Sequence, residues 1–405
     1  MTQPAPKRVL IFSLQYFPYV GGAEVAIKEI TDRIKTTEVE FHMVTLRFDS
    51  SLPATEKIRN VLVHRIGFCL PHPSIADLGK YPLKLNKYWF QLAAARKAGR
   101  LHERYHFDAV WAMMAHGTGI PAGIFKKKHP EVPYLLTLQE GDPPEYIERL
   151  MRPAVSLFHQ GFALADELQA ISNFLLAWGK HMGFRGNGEV IPNGYDKKLW
   201  FSVVSDESQN RRVFWKNQHG LDIGDSETVL ITTSRLVHKN AIDDVIRAVK
   251  HLPNTRFVIL GVGEQEQSLR TLAESLGVTE RVHFLKEVKN TAVAYHLVAS
   301  DIFIRPSRSE GMGNSFIEAM AAGIPVIATQ EGGLADFVND TTAWVVEKDT
   351  PEQIVAAVED IRANPEKKKI IIATAKAMVL DTHDWEVIAK KMDALFRRLF
   401  AGAVK

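Results

Sequence analysis

The chain has 405 residues, of which 46% are apolar and 24% are charged, and its formal net charge is +3. This composition excludes a disordered chain, and the length exceeds what one hydrophobic core usually holds, so two domains are expected. The single cysteine, Cys69, excludes an intrachain disulfide and a thiolate metal cluster, and no apolar stretch of about 18 residues is present that could span a membrane.

The charge is distributed unevenly along the chain. Residues 1–200 carry 25 lysines and arginines against 19 acidic residues, whereas the remainder carries 25 against 28. The two halves are therefore expected to meet different partners. The segment 1–7 leads into an apolar run without the features of a secretion signal, so we expect a cytoplasmic protein.

Short β-branched runs alternate with segments of helical period in the first half of the chain. Helices are predicted at 23–34 and 83–105, and strands at 9–14, 61–66, 109–113, 134–138, 168–172 and 189–192. Gly21 and Gly22 form a turn between the first strand and the first helix. Such a turn lets a phosphate or a substrate approach the backbone closely, although an ordinary strand-to-helix turn has the same pattern.

Residues 80–104 combine basic and aromatic side chains. Lys80, Lys84 and Lys87 fall near one side of a predicted helix with aromatic residues between them, and arginines continue the positive character. The pattern favours a core-packing helix with a solvated basic face, and peripheral contact with an anionic membrane surface, at the inner face of the membrane, is the alternative. Binding to nucleic acid is not expected, because no recognised motif accompanies the charge.

A second series of strands and helices follows the polar stretch 202–210, which is the predicted linker. Strands are predicted at 229–233, 257–260, 282–285, 302–304, 325–328 and 344–346, and helices at 241–250, 265–276 and 351–363.

The predicted fold class is therefore α/β, with two doubly wound parallel-sheet, Rossmann-like domains that face a cleft. We expect an N-terminal domain at 1–200 and a C-terminal domain at 201–382, with residues 383–405 packing back on the first domain. Ligands of such sheets bind beyond the carboxyl ends of the strands, so a shared site is expected in the cleft.

Two segments of the second half carry candidate binding residues. Arg235 and Lys239 leave the end of a predicted strand together, where they could clamp a diphosphate or could simply be solvated loop cations. Glu310 and Glu318 flank a glycine-rich loop that runs into a helix, an arrangement suited to the hydroxyls and phosphates of a sugar nucleotide. The alternative is a capping box, in which Glu318 only accepts from the Ser315 N–H.

Taken in order, these elements resemble the retaining glycosyltransferases of family 4, whose architecture is called GT-B. The resemblance is strongest from 229 to 346, where EGMGNSFIEAMAAGIPVIAT is similar to the family's E-x7-E signature and its continuation. The turn at Gly21, the R-x-x-x-K element and the segments 191–196, 305–307 and 383–386 are also similar to family elements.

The resemblance implies a role for each matching residue. Arg235 and Lys239 would neutralise the leaving diphosphate and Glu310 would hold hydroxyls of the donor sugar, so these three are the expected catalytic residues. Glu318 would accept hydrogen bonds from the ribose hydroxyls. The remaining donor contacts would come from Gly311, Met312, Gly313, Asn314 and Ser315, and from Gly21 and Gly22 in the other domain.

No metal and no cofactor are expected. The chain has no D-x-D triplet, and the cations with a helix N-terminus can supply the positive charge that a metal ion would otherwise provide. The resemblance also implies retention of the anomeric configuration. The expected donor is a UDP-sugar, with a GDP-sugar second, carrying a hexose-type sugar to a saccharide or a lipid-linked acceptor.

The chain departs from the family at one position. Where the family often has a histidine after the strand at 134–138, this chain has Gln139, which can bind a sugar hydroxyl but cannot act as an acid or a base. His116 would be the substitute, with a plain loop or packing role as the alternative. Glu140 is a candidate acceptor contact, or else a solvated or capping acid.

The main alternative from another class is an NAD-dependent oxidoreductase. Residues 117–123 form a glycine-rich turn after a strand, and Glu140 follows the next strand about 20 residues later, as a ribose-binding acid would. The displaced third glycine and Pro121 inside the turn weigh against it. A non-catalytic nucleotide-binding module and a GT-B sugar-nucleotide epimerase are further alternatives.

Overall fold

The computed structural model describes residues 5–73, 75–198, 200, 211–286 and 288–402. The chain divides into two compact units: a first domain, Met1–Asn193 with Trp385–Lys405, and a second domain, Gly194–Asp384. The boundaries predicted from the sequence are 200 and 382, and the predicted linker 202–210 falls outside the described residues.

The first domain contains an eight-stranded sheet. Its strands are β1 Lys7–Phe12, β2 Val39–Leu46, β3 Thr55–Ile58, β4 Val61–Ile66, β5 Ala109–Met113, β6 Tyr134–Leu138, β7 Glu167–Ala170 and β8 Asn187–Val190. They pair in the order β3-β4-β2-β1-β5-β6-β7-β8, and β3 with β4 is the antiparallel pair. The central strands β5 and β6 are buried throughout and β1 over its last four residues, as expected for a parallel sheet that is covered on both faces.

The second domain contains a six-stranded parallel sheet. Its strands are β9 Thr228–Thr233, β10 Thr255–Leu260, β11 Val282–Phe284, β12 Ile302–Arg305, β13 Val326–Ala328 and β14 Trp344–Val345. They pair in the order β11-β10-β9-β12-β13-β14, so β9 and β12 are neighbours. The predicted α/β class with two parallel-sheet domains is confirmed.

Helices connect the strands in both domains. In chain order they are α1 Gly22–Arg33, α2 Lys84–Tyr105, α3 Ile120–Lys128, α4 Pro144–Met151, α5 Val155–Ala163, α6 Asn173–His181, α7 Arg211–His219, α8 Ile242–Lys250, α9 Glu266–Ser275, α10 Asn290–Val298, α11 Asn314–Ala322, α12 Pro351–Ala363, α13 Pro365–Thr382 and α14 Trp385–Gly402.

The last helix belongs to the first domain. Trp385 and Met392 of α14 are buried in the core that β1, β2 and β5 share with α1. Phe396 of the same helix packs edge-on against Trp111, with ring centroids 5.4 Å apart. The core of the first domain is therefore built from two separate parts of the chain, because α14 follows the second domain in the sequence.

The predicted strands of the first domain did not include β2 or β3. Polar residues, among them His42, interrupt the apolar pattern of β2, yet the ring of His42 is buried and its Nδ1 lies 3.4 Å from His64 Nε2. β3 is a polar strand at the sheet edge, where alternate side chains are exposed. Neither strand carries the uninterrupted apolar run by which central strands are predicted.

Candidate active site

The loops that follow β9 and β12 begin side by side. Phe303 of β12 pairs with Ile231 of β9, and both strands run in the same direction. Arg235 and Lys239 lie in the loop after β9, and Glu310 lies in the loop after β12. The sheet therefore brings these three predicted residues to one edge, where ligands of parallel sheets bind.

Glu310 is paired with two cations. Its Oε1 accepts a hydrogen bond from Arg305 Nη2 at 2.8 Å, and its Oε2 lies 3.4 Å from Lys239 Nζ. Arg305 was not predicted to be a site residue, although the segment 305–307 resembles a family element. The available signal was a charged residue at the end of the otherwise apolar strand β12, which requires a partner because a buried charge must be paired.

Hydrogen bonds to the main chain fix the loop that carries Arg235 and Lys239. Asn240 Nδ2 donates to the Arg235 carbonyl at 2.7 Å. The Arg308 N–H donates to the Lys239 carbonyl at 2.7 Å, and Arg308 Nη1 donates to the His238 carbonyl at 2.8 Å. Arg308 lies two positions before Glu310, so it ties the two loops together.

The glycine-rich loop leads into α11, whose first helical residue is Asn314. Gly313 precedes it with φ +83°, and a Cβ there would lie 2.6 Å from the Phe316 ring and 2.9 Å from Arg305 Nη2. Ser315 therefore lies inside the helix, which contradicts the capping-box alternative. The Phe316 N–H donates to the Gly313 carbonyl at 3.1 Å, and the positive end of the helix dipole at this N-terminus favours an anion.

Glu318 lies on the same helix, one turn further along. Burial raises the pKa of its carboxyl group from 4.5 to about 7, and the positive charge of Arg305 opposes this shift. A carboxylate that is costly to ionise and lies close to a cation is typical of a functional position.

Several buried polar atoms at this edge of the sheet have no hydrogen-bond partner among the described residues. They are Thr232 Oγ1, Thr233 Oγ1, Ser234 Oγ, Ser307 Oγ and Arg305 Nε. Each unsatisfied buried group costs about 1 to 3 kcal/mol. Such a concentration around β9 and β12 is expected where a polar ligand or ordered water belongs.

Close backbone contacts hold both loops. A Cβ on Gly261 would lie 1.8 Å from the Ser234 carbonyl oxygen, and one on Gly332 would lie 2.2 Å from the Glu310 carbonyl oxygen. Both glycines have positive φ, +149° and +61°. No other amino acid fits at these two positions without displacing the loop.

In the first domain, the structure brings His116 and Glu140 together after β5 and β6. Glu140 Oε1 lies 3.4 Å from His116 Nδ1, and its Oε2 accepts from the Gln139 N–H at 3.0 Å. Gln139 forms two reciprocal hydrogen bonds with the Asn193 amide, each 3.1 Å long. Glu140 is buried, which contradicts the solvated alternative. Its Oε1 also lies 3.4 Å from the His116 N–H at the start of the helical segment Ala115–Gly119, so the capping alternative stands beside acceptor binding.

Gly21 and Gly22 lie at the start of α1. The Gly21 N–H donates to Glu24 Oε2 at 2.6 Å, so this N–H is already used within its own turn. Burial raises the pKa of Glu24, and hydrogen bonds from the turn oppose the shift.

The glycines of residues 117–123 have a packing role. A Cβ on Gly161 of α5 would lie 2.9 Å from the Gly119 backbone, and one on Gly123 would lie 3.5 Å from Gly161. These glycines let α3 and α5 approach closely, and Glu140, the expected ribose-binding acid of the oxidoreductase alternative, is engaged with His116.

One group of potential metal ligands lies elsewhere in the first domain. His129 Nδ1 and His102 Nε2 lie 3.5 and 4.0 Å from Glu131 Oε1. The Phe107 N–H donates to His102 Nδ1 at 3.0 Å, which places the imidazole proton on the Nε2 that would have to bind the metal. This geometry disfavours a metal site. Within the described part of the chain, no helix is long and apolar enough to cross a membrane.

Two family models match the chain. The model described as Glycosyltransferase Family 4 matches residues 20–199, which include His116 and Gln139. The model described as Glycosyl transferases group 1 matches residues 213–396, which include Arg235, Glu310 and Glu318. These matches contradict the oxidoreductase and non-catalytic alternatives.

Individual proteins show the same relationship. The alpha-monoglucosyldiacylglycerol synthase of Acholeplasma laidlawii is 24% identical over 407 residues, covering 96% of each chain. A GDP-mannose-dependent monoacylated alpha-(1-6)-phosphatidylinositol monomannoside mannosyltransferase of Corynebacterium glutamicum is 29% identical over 56% of this chain, and the match spans only 61% of that protein. The solved structure of Anabaena Alr3699/HepE in complex with UDP and glucose has the same fold, with a TM-score of 0.74 at 19% identity over 97% of this chain and 100% of that chain. The chain thus belongs to glycosyltransferase family 4 and is a nucleotide-sugar-dependent glycosyltransferase of GT-B architecture.

Proposed function

We propose that the enzyme transfers a hexose-type sugar from a nucleoside-diphosphate sugar to a saccharide or lipid-linked acceptor. The transfer retains the anomeric configuration and needs no metal ion. The observation that carries this proposal is the cluster at the carboxyl ends of β9 and β12, where Lys239 and Arg305 pair with Glu310 next to the N-terminus of α11.

Arg235 and Lys239 are the proposed partners of the leaving diphosphate. Asn240 and Arg308 hold the main chain of their loop, so both residues extend from a fixed backbone, with the Arg235 side chain exposed. Negative charge grows on the diphosphate as the anomeric bond lengthens. Prepositioned cations stabilise that transition state more than the ground state, which is the main catalytic contribution we assign to the protein.

The two glutamates and the start of α11 are the proposed partners of the rest of the donor. Glu310, oriented by two cations, accepts hydrogen bonds from hydroxyls of the sugar, and Glu318 accepts from hydroxyls of the ribose. Backbone N–H groups of residues 311–315 bind phosphate or sugar oxygens, because the helix N-terminus favours negative charge.

Metal independence follows from this charge arrangement. Three cations, Arg235, Lys239 and Arg305, lie with Glu310 and Glu318 at one edge of the sheet, leaving one positive charge in excess when both glutamates are ionised. This charge and the N-terminus of α11 can offset part of the negative charge of a diphosphate, a role that a divalent cation would otherwise have. Retention is supported by the family to which the chain belongs, and it requires attack on the face that the diphosphate leaves.

His116, Glu140 and Gln139 are the proposed sugar or acceptor contacts of the first domain. The Glu140 carboxylate beside His116 favours the tautomer with its proton on Nδ1. The other ring nitrogen, Nε2, can then take a proton from a hydroxyl of the molecule that receives the sugar. We also propose that Gly21 and Gly22 contact the donor. Because the Gly21 N–H is used by Glu24, this contact falls to its other backbone atoms and to Gly22.

We propose a UDP-sugar as the donor, with a GDP-sugar second. The Anabaena structure holds UDP and glucose, whereas the Corynebacterium relative is named as GDP-mannose-dependent. The names of the two relatives indicate glycolipid products, which supports a lipid-linked acceptor.

A donor panel tests the proposal. The protein is incubated with UDP- and GDP-linked hexoses, and slow hydrolysis of the donor is followed by release of UDP or GDP, with and without chelator. Proton NMR of the first sugar released reports its anomeric configuration. We expect one donor class to be hydrolysed, with release of the anomer that the donor carries.

Matched variants identify the site. Glu310→Gln should abolish donor hydrolysis, whereas Lys250→Ala, which removes an exposed cation of α8 in the same domain, should leave it unchanged. Release of the opposite anomer would contradict retention. Binding of NADH but of neither UDP nor GDP would contradict the proposed function as a whole.

We further propose that the start of α2 rests on an anionic membrane surface. Leu85, Tyr88, Trp89 and Leu92 are exposed and spaced along one face of the helix, and Tyr81, just before it, is 72% exposed. Soluble proteins rarely expose an apolar stripe of this kind.

Charge around the stripe favours a bilayer as its partner. Lys80, Lys84 and Lys87 flank the apolar side chains, and Lys84 Nζ lies 5.7 Å from the centre of the Tyr81 ring. Mixed basic and aromatic surfaces are typical of helices that bind anionic headgroups.

Co-sedimentation with vesicles tests this surface. The protein should bind phosphatidylcholine vesicles that contain phosphatidylglycerol and lose that binding in the Tyr88→Ser, Trp89→Ser double variant. A control with Tyr146→Ser and Leu150→Ser, two exposed residues of α4, should bind as the parent does. Unchanged binding of the first variant, or dimerisation through the stripe without vesicle binding, would contradict the proposal.

A further inference from the structure

Arg305 is a buried cation at the centre of the candidate active site. It ends β12, whose other residues are Ile302, Phe303 and Ile304, and it is only 5% exposed. Arginine stays protonated even where burial lowers its pKa, as it does here against the attraction of Glu310 and Glu318. A full positive charge therefore lies inside the protein at the edge of the sheet.

The contacts of the guanidinium group fix its position. Nη1 donates to the Thr233 carbonyl at 3.1 Å, and Nη2 donates to Glu310 Oε1 at 2.8 Å. The group also lies over the Phe316 ring, 4.4 Å from its centre. The absence of a side chain at Gly313 leaves the space that both the guanidinium group and the ring occupy.

This geometry divides the two oxygens of Glu310 between two cations. Oε1 is bound by Arg305 and Oε2 faces Lys239. A carboxylate held at both oxygens cannot rotate freely, so its remaining lone pairs point in fixed directions. The negative charges of Glu310 and Glu318 raise the pKa of Arg305, and the positive charge of Arg235 lowers it.

We propose that Arg305 is a positioning residue for sugar transfer, which orients the Glu310 carboxylate toward the donor sugar and supplies the positive charge shared by Glu310 and Glu318. The inference rests on the proposed donor site. Arg305 acts through the two glutamates and does not itself contact the donor.

Variants at position 305 separate orientation from charge. Arg305→Lys keeps the charge but loses the planar pair of donors, and Arg305→Met removes both. The matched control is Arg256→Met, which removes an arginine paired with Glu227 at 2.7 Å near the amino end of β10 in the same domain. Circular dichroism and thermal unfolding establish that each variant is folded.

Kinetics and titration provide the two readouts. Both variants should lower kcat for donor hydrolysis by about 100-fold, the effect of a misplaced active-site group, with little change in KM. Carbon-13 NMR titration of the Glu318 carboxyl should show a midpoint at higher pH in Arg305→Met, because the positive charge of Arg305 lowers the pKa of this carboxyl. The Lys variant should keep the parent midpoint.

The outcomes distinguish this inference from the proposed function. Parent kcat in a folded Arg305→Lys protein, or an unshifted Glu318 titration in Arg305→Met, would overturn the role of Arg305. If Arg305→Met does not fold, the kcat of Arg305→Lys decides. A parent protein that hydrolyses no donor would contradict the proposed function, while the titration would still decide whether Arg305 controls Glu318.

Discussion

Replacing Glu318 by glutamine tests whether this carboxyl group serves binding at the expense of stability. Burial raises its pKa from 4.5 to about 7. The pKa of Glu318 is higher in the folded than in the unfolded protein, so the protonated carboxyl group contributes to the free energy of unfolding. This contribution is complete below about pH 4.5 and is lost as the pH rises through about 7. A change of one pKa unit corresponds to about 1.36 kcal/mol, so a rise from 4.5 to about 7 corresponds to roughly 3 kcal/mol. Because the side chain is half-buried, we expect the ionised carboxylate to lower the free energy of unfolding by roughly 2 to 3 kcal/mol at about pH 8.

Glutamine has nearly the same size and cannot ionise. Glu318→Gln should therefore raise the melting temperature of the unliganded protein at about pH 8 by roughly 4 to 12 °C and change it little at about pH 4.5. The same variant should bind UDP or GDP more weakly by about 1 to 3 kcal/mol, because ribose hydroxyls lose a charged acceptor.

Thermal unfolding at the two pH values, with calorimetric titration of nucleotide, measures both effects. Glu274→Gln, which neutralises an exposed acid of α9, is the control and should change neither quantity. A Glu318→Gln protein that is destabilised at both pH values would show that the carboxylate holds the fold together. Parent nucleotide affinity in this variant would remove Glu318 from the donor site.

Three further predictions concern the chemistry and the stability of the enzyme. Lys239→Ala should lower turnover by about 100-fold to 1,000-fold with a much smaller change in the donor KM, and normal turnover with a raised KM would show that Lys239 serves ground-state binding. Donor hydrolysis should persist in excess chelator, and recovery of a chelated, inactive enzyme on addition of magnesium or manganese would refute metal independence. Burial lowers the pKa of His42 and His64 from 6.5 to about 4, so their contribution to stability is present above about pH 6.5 and lost as the pH falls through about 4. Replacing both by glutamine should make the melting temperature depend less on pH over this range, and an unchanged pH dependence would contradict the argument.

The sequence was sufficient to predict the fold class and the residues carried by two loops. The strands that bracket the site are short and apolar, so β9 and β12 could be placed from periodicity and the loops after them followed directly. Their adjacency in the sheet could not be derived in this way. Strand order depends on which apolar faces pack together in three dimensions, and no local pattern encodes it.

The supporting residues of the site were missed for the same reason. Arg305 and Arg308 act on partners that are close only in the folded sheet: Arg305 donates to the Thr233 carbonyl, and the Arg308 N–H donates to the Lys239 carbonyl. The pairing of His116 with Glu140 likewise joins residues that follow different strands. A sequence shows that these side chains are charged, but burial and distance decide what they do.

The contacts of Gly261 and Gly332 restrict how donor preference in this enzyme can change. At both positions a carbonyl oxygen of a site loop occupies the space where a Cβ atom would lie, so neither glycine can be replaced without moving the main chain of that loop. A mutant library aimed at a new donor sugar should therefore keep both glycines and vary the side chains of the loop after Glu310. Diversity placed at the two glycines would mainly yield proteins with displaced loops.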